Sequence, residues 1–169
     1  MPPKKAPTRG AFFNGRRILR VMGKIARRTA RTVYKNGIKP QLFKRHPDDV
    51  HHQMVSSARR FGRLAAPLRI LAHTDKRLEQ NLFGLHFANP IGISAGLDKN
   101  AEMAHVARAI GCGFTTVGSL TDRPRQGNEH PWFYRLPKTR SLAVHVGMAN
   151  LGLDIIAPRL KRRPGRFPL

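Results

Sequence analysis

Between Asn89 and Gly118 the chain has few ways to fold. Residues 89–100, NPIGISAGLDKN, carry an apolar run (Pro90, Ile91, Gly92, Ile93) into a small-residue turn of Ser94, Ala95 and Gly96; Asp98, Lys99 and Asn100 follow. This predicts a buried strand, a tight turn and a helix start. Ala101, Ala104, Val106, Ala107 and Ile110 then recur at helical spacing, which predicts a helix over 101–110 with those side chains buried. Gly111-Cys112-Gly113 ends it, and residues 114–118 (FTTVG) read as a second strand. Strand, helix and strand in close succession make a βαβ unit with parallel strands. Bare backbone at Ala95 and Gly96 would let a flat or phosphorylated ligand approach, with Lys99 as a cation at the strand's mouth. The competing reading of the same residues is an ordinary βα turn whose lysine is solvated.

Charge narrows the partners. The 169 residues include 32 Lys and Arg against 9 Asp and Glu, a formal net charge of +23. Such a balance favours polyanions, either nucleic acid or an anionic membrane surface. The single cysteine, Cys112, excludes an internal disulfide and reads as a small buried residue at a helix-to-strand turn. No run approaches the roughly 18 apolar residues of a spanning helix, and no apolar core of a secretory signal is visible.

The charge is concentrated at the N-terminus. Residues 1–47 hold fourteen Lys and Arg and no acid. Residues 1–10 are Pro-rich and basic and are expected to be unstructured. Over 16–33 a helical wheel separates Ile18, Leu19, Val21, Met22, Ile25, Ala26 and Val33 from Arg16, Arg17, Arg20, Lys24, Arg27, Arg28 and Arg31. Asn36-Gly37 is the expected stop. A basic amphipathic helix of this kind suits an anionic lipid surface. A mitochondrial transit peptide, a nucleic-acid-binding helix and a solvated face over a local core remain alternatives.

Pro47-Asp48-Asp49 reads as a helix entry, with acids at the positive end of the dipole. Val50, Met54, Ala58, Phe61 and Leu64/Ala65 give its expected apolar face. His51 and His52 point to different faces and make no metal site. Pro67 interrupts a further short helical run, 68–72. Apolar positions around Gly84 predict a small hairpin within 75–87. Residues 119–128 read as a long functional loop. Trp132, Phe133 and Tyr134 precede Arg135-Leu136-Pro137; the aromatics could stack bases or pack the loop onto the domain.

The string N-P-x-G-x-x-A-G-x-D-K-N (89–100), followed by G-N-x-x-P-x-x-x-R-L (127–136), resembles the first half of a class 2, membrane-associated, quinone-dependent dihydroorotate dehydrogenase. The likeness is densest over 83–169 and reaches back weakly to about residue 39. It implies an α/β fold, the N-terminal part of a (β/α)8 TIM barrel, preceded by a basic helical membrane-associating extension. Residues 1–47 would be that extension, 48–73 a helical segment at a quinone tunnel, and 74–169 the start of the barrel. Active residues of such barrels sit at the C-terminal ends of the strands, where Lys99 and Gly118-Ser119 fall.

By matching position, the resemblance gives Ala95, Gly96, Gly118 and Ser119 to FMN, and Lys99 to both flavin and substrate carboxylate. It puts His51 and Arg135 on the quinone side. The implied reaction is oxidation of dihydroorotate to orotate in pyrimidine biosynthesis, with quinone reoxidising the flavin. The implied location is the cytoplasmic face of a bacterial inner membrane, or else the mitochondrial inner membrane. Two departures stand out. The family's Asn-Arg-x-Gly-Phe-Asn run reads Val144-His145-Val146-Gly147-Met148-Ala149-Asn150 here, so Val144, Met148 and Ala149 replace the usual polar and aromatic set. A pocket without those amides is expected to reject a polar pyrimidine. The segments of the family that carry the catalytic serine and the later flavin and phosphate contacts have no counterpart, so these residues include no catalytic base. The chain is expected to be an N-terminal portion, inactive alone. The alternative is a membrane- or nucleic-acid-binding protein derived from a truncated or decayed paralogue.

Overall fold

The computed structural model describes the backbone from Arg9 to Leu169, and side chains from Ile18 onward except Leu19 and Arg20. Helix α1 runs Arg9–Val33, starting inside the stretch expected to be unstructured; residues 1–8 of that stretch lie outside the described residues. Arg31 in its last turn complements the negative end of the helix dipole. The expected stop at Asn36-Gly37 does not occur. The chain passes through a π-helical turn, Tyr34–Ile38, straight into α2, Lys39–Phe43. Pro40 explains this: it has no N–H to donate, and in an α-helix its ring would meet the carbonyl of Asn36. The wider turn absorbs the clash, and the Lys39 N–H reaches back to the Tyr34 carbonyl.

Among the described residues, α1 meets the rest of the molecule along a row through Gly23 and Arg27. Gly23 is buried, and a methyl group there would lie 3.5 Å from the Ile70 carbonyl oxygen. One turn on, Arg27 Nη1 donates to the Ala72 carbonyl at 3.0 Å. The apolar stripe faces away from this row: Ile18, Val21, Met22, Ile25 and Val33 are each about half exposed.

Helix α3, Pro47–Phe61, begins where the Pro-Asp-Asp signal places it. His46 is extended and its Nδ1 accepts from the Asp48 N–H at 3.3 Å, satisfying an orphan donor of the first turn. Its buried face differs from expectation. Val55 and Ala58 pack on Met103, whereas Met54, Phe61 and Leu64 are exposed, Leu64 to 75%. The helix turns the face through Val55 and Ala58 toward the core, which leaves the side of Met54 and Phe61 in solvent. Pro67 does not interrupt the following segment but starts it, at the first turn of a 3-10 helix, Ala66–Leu71.

The hairpin is present: β1, Gln80–Leu82, pairs antiparallel with β2, Leu85–Phe87, around Phe83 and Gly84, both at positive φ. The βαβ unit is also present, with shorter elements. Strand β3 is Gly92–Ile93, α4 is Ala104–Ile110, and β4 is Phe114–Thr115, parallel to β3. Ala104, Ala107 and Ala109 are buried, but Ile110 is 40% exposed at the helix end. Gly111 closes α4 in the left-handed conformation, φ 97°. Cys112 is half-buried against Ala104, Ala107 and Phe167, and burial pushes its thiol pKa above the ordinary value. Among the described residues this is the one parallel pair.

Three elements complete the chain. Strands β5, Phe133–Leu136, and β6, Ser141–Val144, form a second antiparallel hairpin. Helix α5 spans Leu153–Lys161, buries Ile156 and contains Pro158. The core is a set of small clusters at the junction of α3, α4 and the parallel strands, with a separate one of Phe133, Val146 and Ala149 under Trp132.

Candidate functional site

The C-terminal ends of β3 and β4 open into a cleft of about 160 Å3. Ala95, Gly96 and Lys99 line it from the β3–α4 turn, and Gly118 and Ser119 from the end of β4. Gly147, Met148 and Ala149 close the third side. All five residues assigned to the flavin by resemblance therefore meet in one place. Met148 and Ala149 are there too. Val144 is not: it sits on β6 opposite Phe133, 58% exposed.

The turn that carries Lys99 is held by its neighbours. Asp98 is fully buried; Oδ1 accepts from the Glu102 N–H at 2.8 Å and Oδ2 from the Met103 N–H at 3.0 Å. These bonds hold the backbone of Glu102 and Met103, the two residues that lead into α4. Asn100 Oδ1 accepts from the Leu151 N–H at 3.0 Å, and its carbonyl accepts from Arg159 at 3.1 Å. Glu102, its side chain 8% exposed, pairs with Arg159 at 2.9 Å. Lys99 thus stands between two residues that each fix the backbone. Gly118 presses on it from the other strand: its N–H donates to the Asp98 carbonyl at 3.0 Å, and a methyl group there would lie 3.1 Å from the Lys99 Cα. Gly96 differs; a methyl group there would meet nothing within 4 Å, so its backbone borders open cleft.

Burial lowers the Lys99 ammonium pKa below its ordinary value. Among the described residues no carboxylate lies within ion-pair distance of it. A half-buried cation without a counter-charge, between bare backbone and a serine hydroxyl, suits an anionic, flat or phosphorylated ligand.

The third wall hangs on Asn150, which is buried. Its Oδ1 accepts from the Gly152 N–H at 2.9 Å, and its Nδ2 donates to Thr121 Oγ1 at 2.9 Å and to the Met148 carbonyl at 2.8 Å. Gly147, at φ 67°, was not singled out from the sequence, nor were the clamping roles of Asp98 and Asn100. The D-K-N order is itself the signal for those roles, since Asp and Asn are the side chains that bond nearby backbone.

His51 and Arg135 lie outside the cleft, at the junction of α2, α3 and β5. His51 Nε2 donates to the Leu97 carbonyl at 3.0 Å, and its ring packs on Phe133 with centroids 5.1 Å apart. Arg135 caps the C-terminal end of α2: it donates to the Arg45 carbonyl at 2.6 Å and the Leu42 carbonyl at 3.2 Å, over the Phe43 ring at 4.6 Å. Asp48 ties the junction together. Its carboxylate accepts from the Trp132 N–H at 2.9 Å, the Phe133 N–H at 3.0 Å and His130 Nδ1 at 2.7 Å. Burial pushes its pKa up, but these donors, Trp132 first, outweigh burial and hold it below the ordinary 3.8.

A carboxyl with a depressed folded-state pKa stabilises above the unfolded value and loses that contribution as pH falls through the folded one. The α3–β5 junction is therefore expected to loosen below about pH 4, as Asp48 takes up a proton. Trp132, the only tryptophan, reports it: it stacks on His130 with centroids 4.1 Å apart. Its fluorescence should change over that window in the native chain and be already changed, with no acid step, in Asp48→Ala. An identical acid step in both would rule out this assignment.

The family model described as dihydroorotate dehydrogenase matches residues 77–167. The chain is 38% identical over 134 residues to a dihydroorotate dehydrogenase (quinone) of Deinococcus deserti, covering 77% of this chain and 37% of that protein. It is 34% identical over 133 residues to one of Christiangramia forsetii, covering 76% and 39%. Among solved structures, ligand-free DHODH of Eimeria tenella superposes with a TM-score of 0.59 at 32% identity, covering 69% of this chain and 31% of that one. The ferulenol complex of the same enzyme gives 0.57 at 33% identity. The chain thus spans somewhat over a third of the length of these curated relatives.

Proposed function

From the premise that this chain belongs to the dihydroorotate dehydrogenase family, we propose that it forms part of an FMN-dependent enzyme that oxidises dihydroorotate to orotate in pyrimidine biosynthesis and passes the electrons to a quinone. Its fold is α/β, with the opening strands of a (β/α)8 barrel behind a helical extension. The observation that carries the proposal is the convergence of Ala95, Gly96, Lys99, Gly118 and Ser119 on one cleft at the ends of two parallel strands.

The residues present fit FMN. Gly96 offers bare backbone with open space before it, and Ser119 a hydroxyl. FMN, when bound, supplies the two-electron acceptor for the dehydrogenation. Lys99 holds a positive charge where an anionic substrate and a developing negative charge need one, and it is pre-oriented by Asp98 and Asn100. Its lowered pKa is restored by an anion in the cleft, so ligand binding and Lys99 protonation are coupled. Ala149 makes the third wall less polar than the amide expected there would, and Met148 stands in place of an aromatic ring.

Alpha-helix α1 is proposed as the membrane-surface contact, its exposed Ile18, Val21, Met22 and Ile25 entering the lipid boundary. No described helix is long and apolar enough to cross a membrane. None of the relatives named above supports the reading as a nucleic-acid-binding protein.

Titration of the chain into FMN, followed by flavin fluorescence, tests the cleft. Saturable quenching is expected, with affinity falling about tenfold in Lys99→Ala, the size of one charge-assisted contact. Quenching that does not saturate, or that is the same in both proteins, would count against the assignment.

A further inference from the structure

A second and larger cavity, about 360 Å3, opens where α3, the start of α4 and α5 meet. Arg59, Arg60 and Arg63 reach it from α3 and the turn beyond, and Arg159, Arg162 and Arg163 from α5 and its C-terminal end. Glu102 is the one carboxylate in its lining, and His105 adds an imidazole. Glu102 is already engaged, at 2.9 Å from Arg159 and 3.7 Å from Arg59. Arg60 lies over the Phe61 ring at 5.3 Å. Among the described residues, the side chains of Arg63, Arg162 and Arg163 have no hydrogen bond or ion pair.

Six guanidinium groups around one concavity repel one another, and low-dielectric walls focus their field into it. The arrangement becomes favourable when an anion fills it. Guanidinium is also selective: its planar fork matches phosphate oxygens two at a time. A small monovalent anion would leave most of these forks unmatched, while a group with two or more phosphates could engage both walls together.

We propose that this cavity is a binding site for a multivalent phosphate anion, held by Arg63, Arg162 and Arg163, while Glu102 keeps Arg59 and Arg159 in place as its rim. The site is separate from the cleft at Lys99 and shares none of its lining residues. The same chemistry has two sources. One is a free pyrophosphate-like group. The other is the headgroup of an anionic phospholipid, which the exposed Phe61 and Leu64 beside Arg60 and Arg63 would accommodate.

The test is isothermal titration of the full chain with inorganic pyrophosphate at roughly physiological ionic strength, where weak surface pairing is screened. One saturable equivalent is expected. Affinity should fall about tenfold or more in the triple variant R63A/R162A/R163A, as loss of charge-assisted contacts dictates. A control, K76A/K138A/R140A, removes the same charge from exposed positions that line neither cavity and lie off α1, and should bind like the native chain in both arms. In the second arm, vesicles containing cardiolipin are compared with phosphatidylcholine vesicles by co-sedimentation. Loss of cardiolipin binding in the cavity variant, with no pyrophosphate binding by the native chain, assigns the site to the lipid headgroup. If the cavity and control variants behave alike in both arms, the proposal is wrong. Should the alanine variant fail to fold, R63K/R162K/R163K decides: it keeps the charge but loses the forks, so a severalfold weaker site is expected and an unchanged one overturns the proposal.

Discussion

Gly113→Ala is expected to abolish the folded βαβ unit. A methyl group at this position would overlap the Asn89 carbonyl oxygen and lie 2.9 Å from the Asn89 carbonyl carbon and nitrogen. The obstacle is main chain, so no rotamer change relieves it. Asn89 cannot retreat either. It is buried, its Nδ2 donates to the Gly111 carbonyl at 2.8 Å, and its Oδ1 accepts from the Ile91 N–H at 3.0 Å. Gly113 is pinned as well, since its N–H donates to the Ile91 carbonyl at 2.7 Å. Relief must come from parting β3 and β4, at a cost on the order of 3–5 kcal/mol. That is a large share of a typical domain's 5–15 kcal/mol or so. Urea unfolding followed by circular dichroism measures it. A midpoint within error of the native protein would show that the strands can move apart freely, contrary to this packing.

Asp98→Ala should have the next largest effect, and it should reach function through Lys99. The substitution leaves the Glu102 and Met103 N–H groups without their acceptor in a site where the carboxylate was fully buried. Loss of two hydrogen bonds to a buried carboxylate amounts to roughly 2–4 kcal/mol. Asp98→Asn keeps one acceptor oxygen and should cost about half as much. Amide exchange at Glu102 and Met103 is expected to accelerate in the alanine variant before α4 itself is affected. FMN quenching should weaken alongside, although Asp98 does not line the cleft. Unchanged exchange at both amides, with intact quenching, would remove Asp98 from any positioning role.

The βαβ unit could be read from residues 89–118 because its signals are local: an apolar run, small residues at the turn and a glycine at the helix exit. The five cleft residues were legible for the same reason, once the D-K-N and Gly-Ser ends were matched to a family. What escaped was set at longer range. Val144 was placed with Met148 and Ala149 by its position in a motif, but β6 pairs it with Phe133 and carries it away. Met54, Phe61 and Leu64 have the right spacing for a buried face, yet α3 turns the face through Val55 and Ala58 toward Met103, Ile93, Leu97 and Val106. Helix α5 was hidden by Pro158, an unfavourable residue that the helix tolerates in its second turn. The continuation past Asn36-Gly37 depended on Pro40, whose effect lies upstream of it.

That π turn has a geometric consequence. In an α-helix, residues five apart point about 140° away from each other, whereas across a π turn they return to roughly the same side. Val33 and Ile38, at the two ends of the turn, are each about half exposed. One extra residue in the turn carries the exposed apolar edge of α1 on from Val33 to Ile38, at the entry to α2, so the edge runs across the junction as a single keel. A greasy edge of that length sets heading as well as adhesion: lying along an interface, it would fix the tilt of everything joined to it through Arg27 and Arg135.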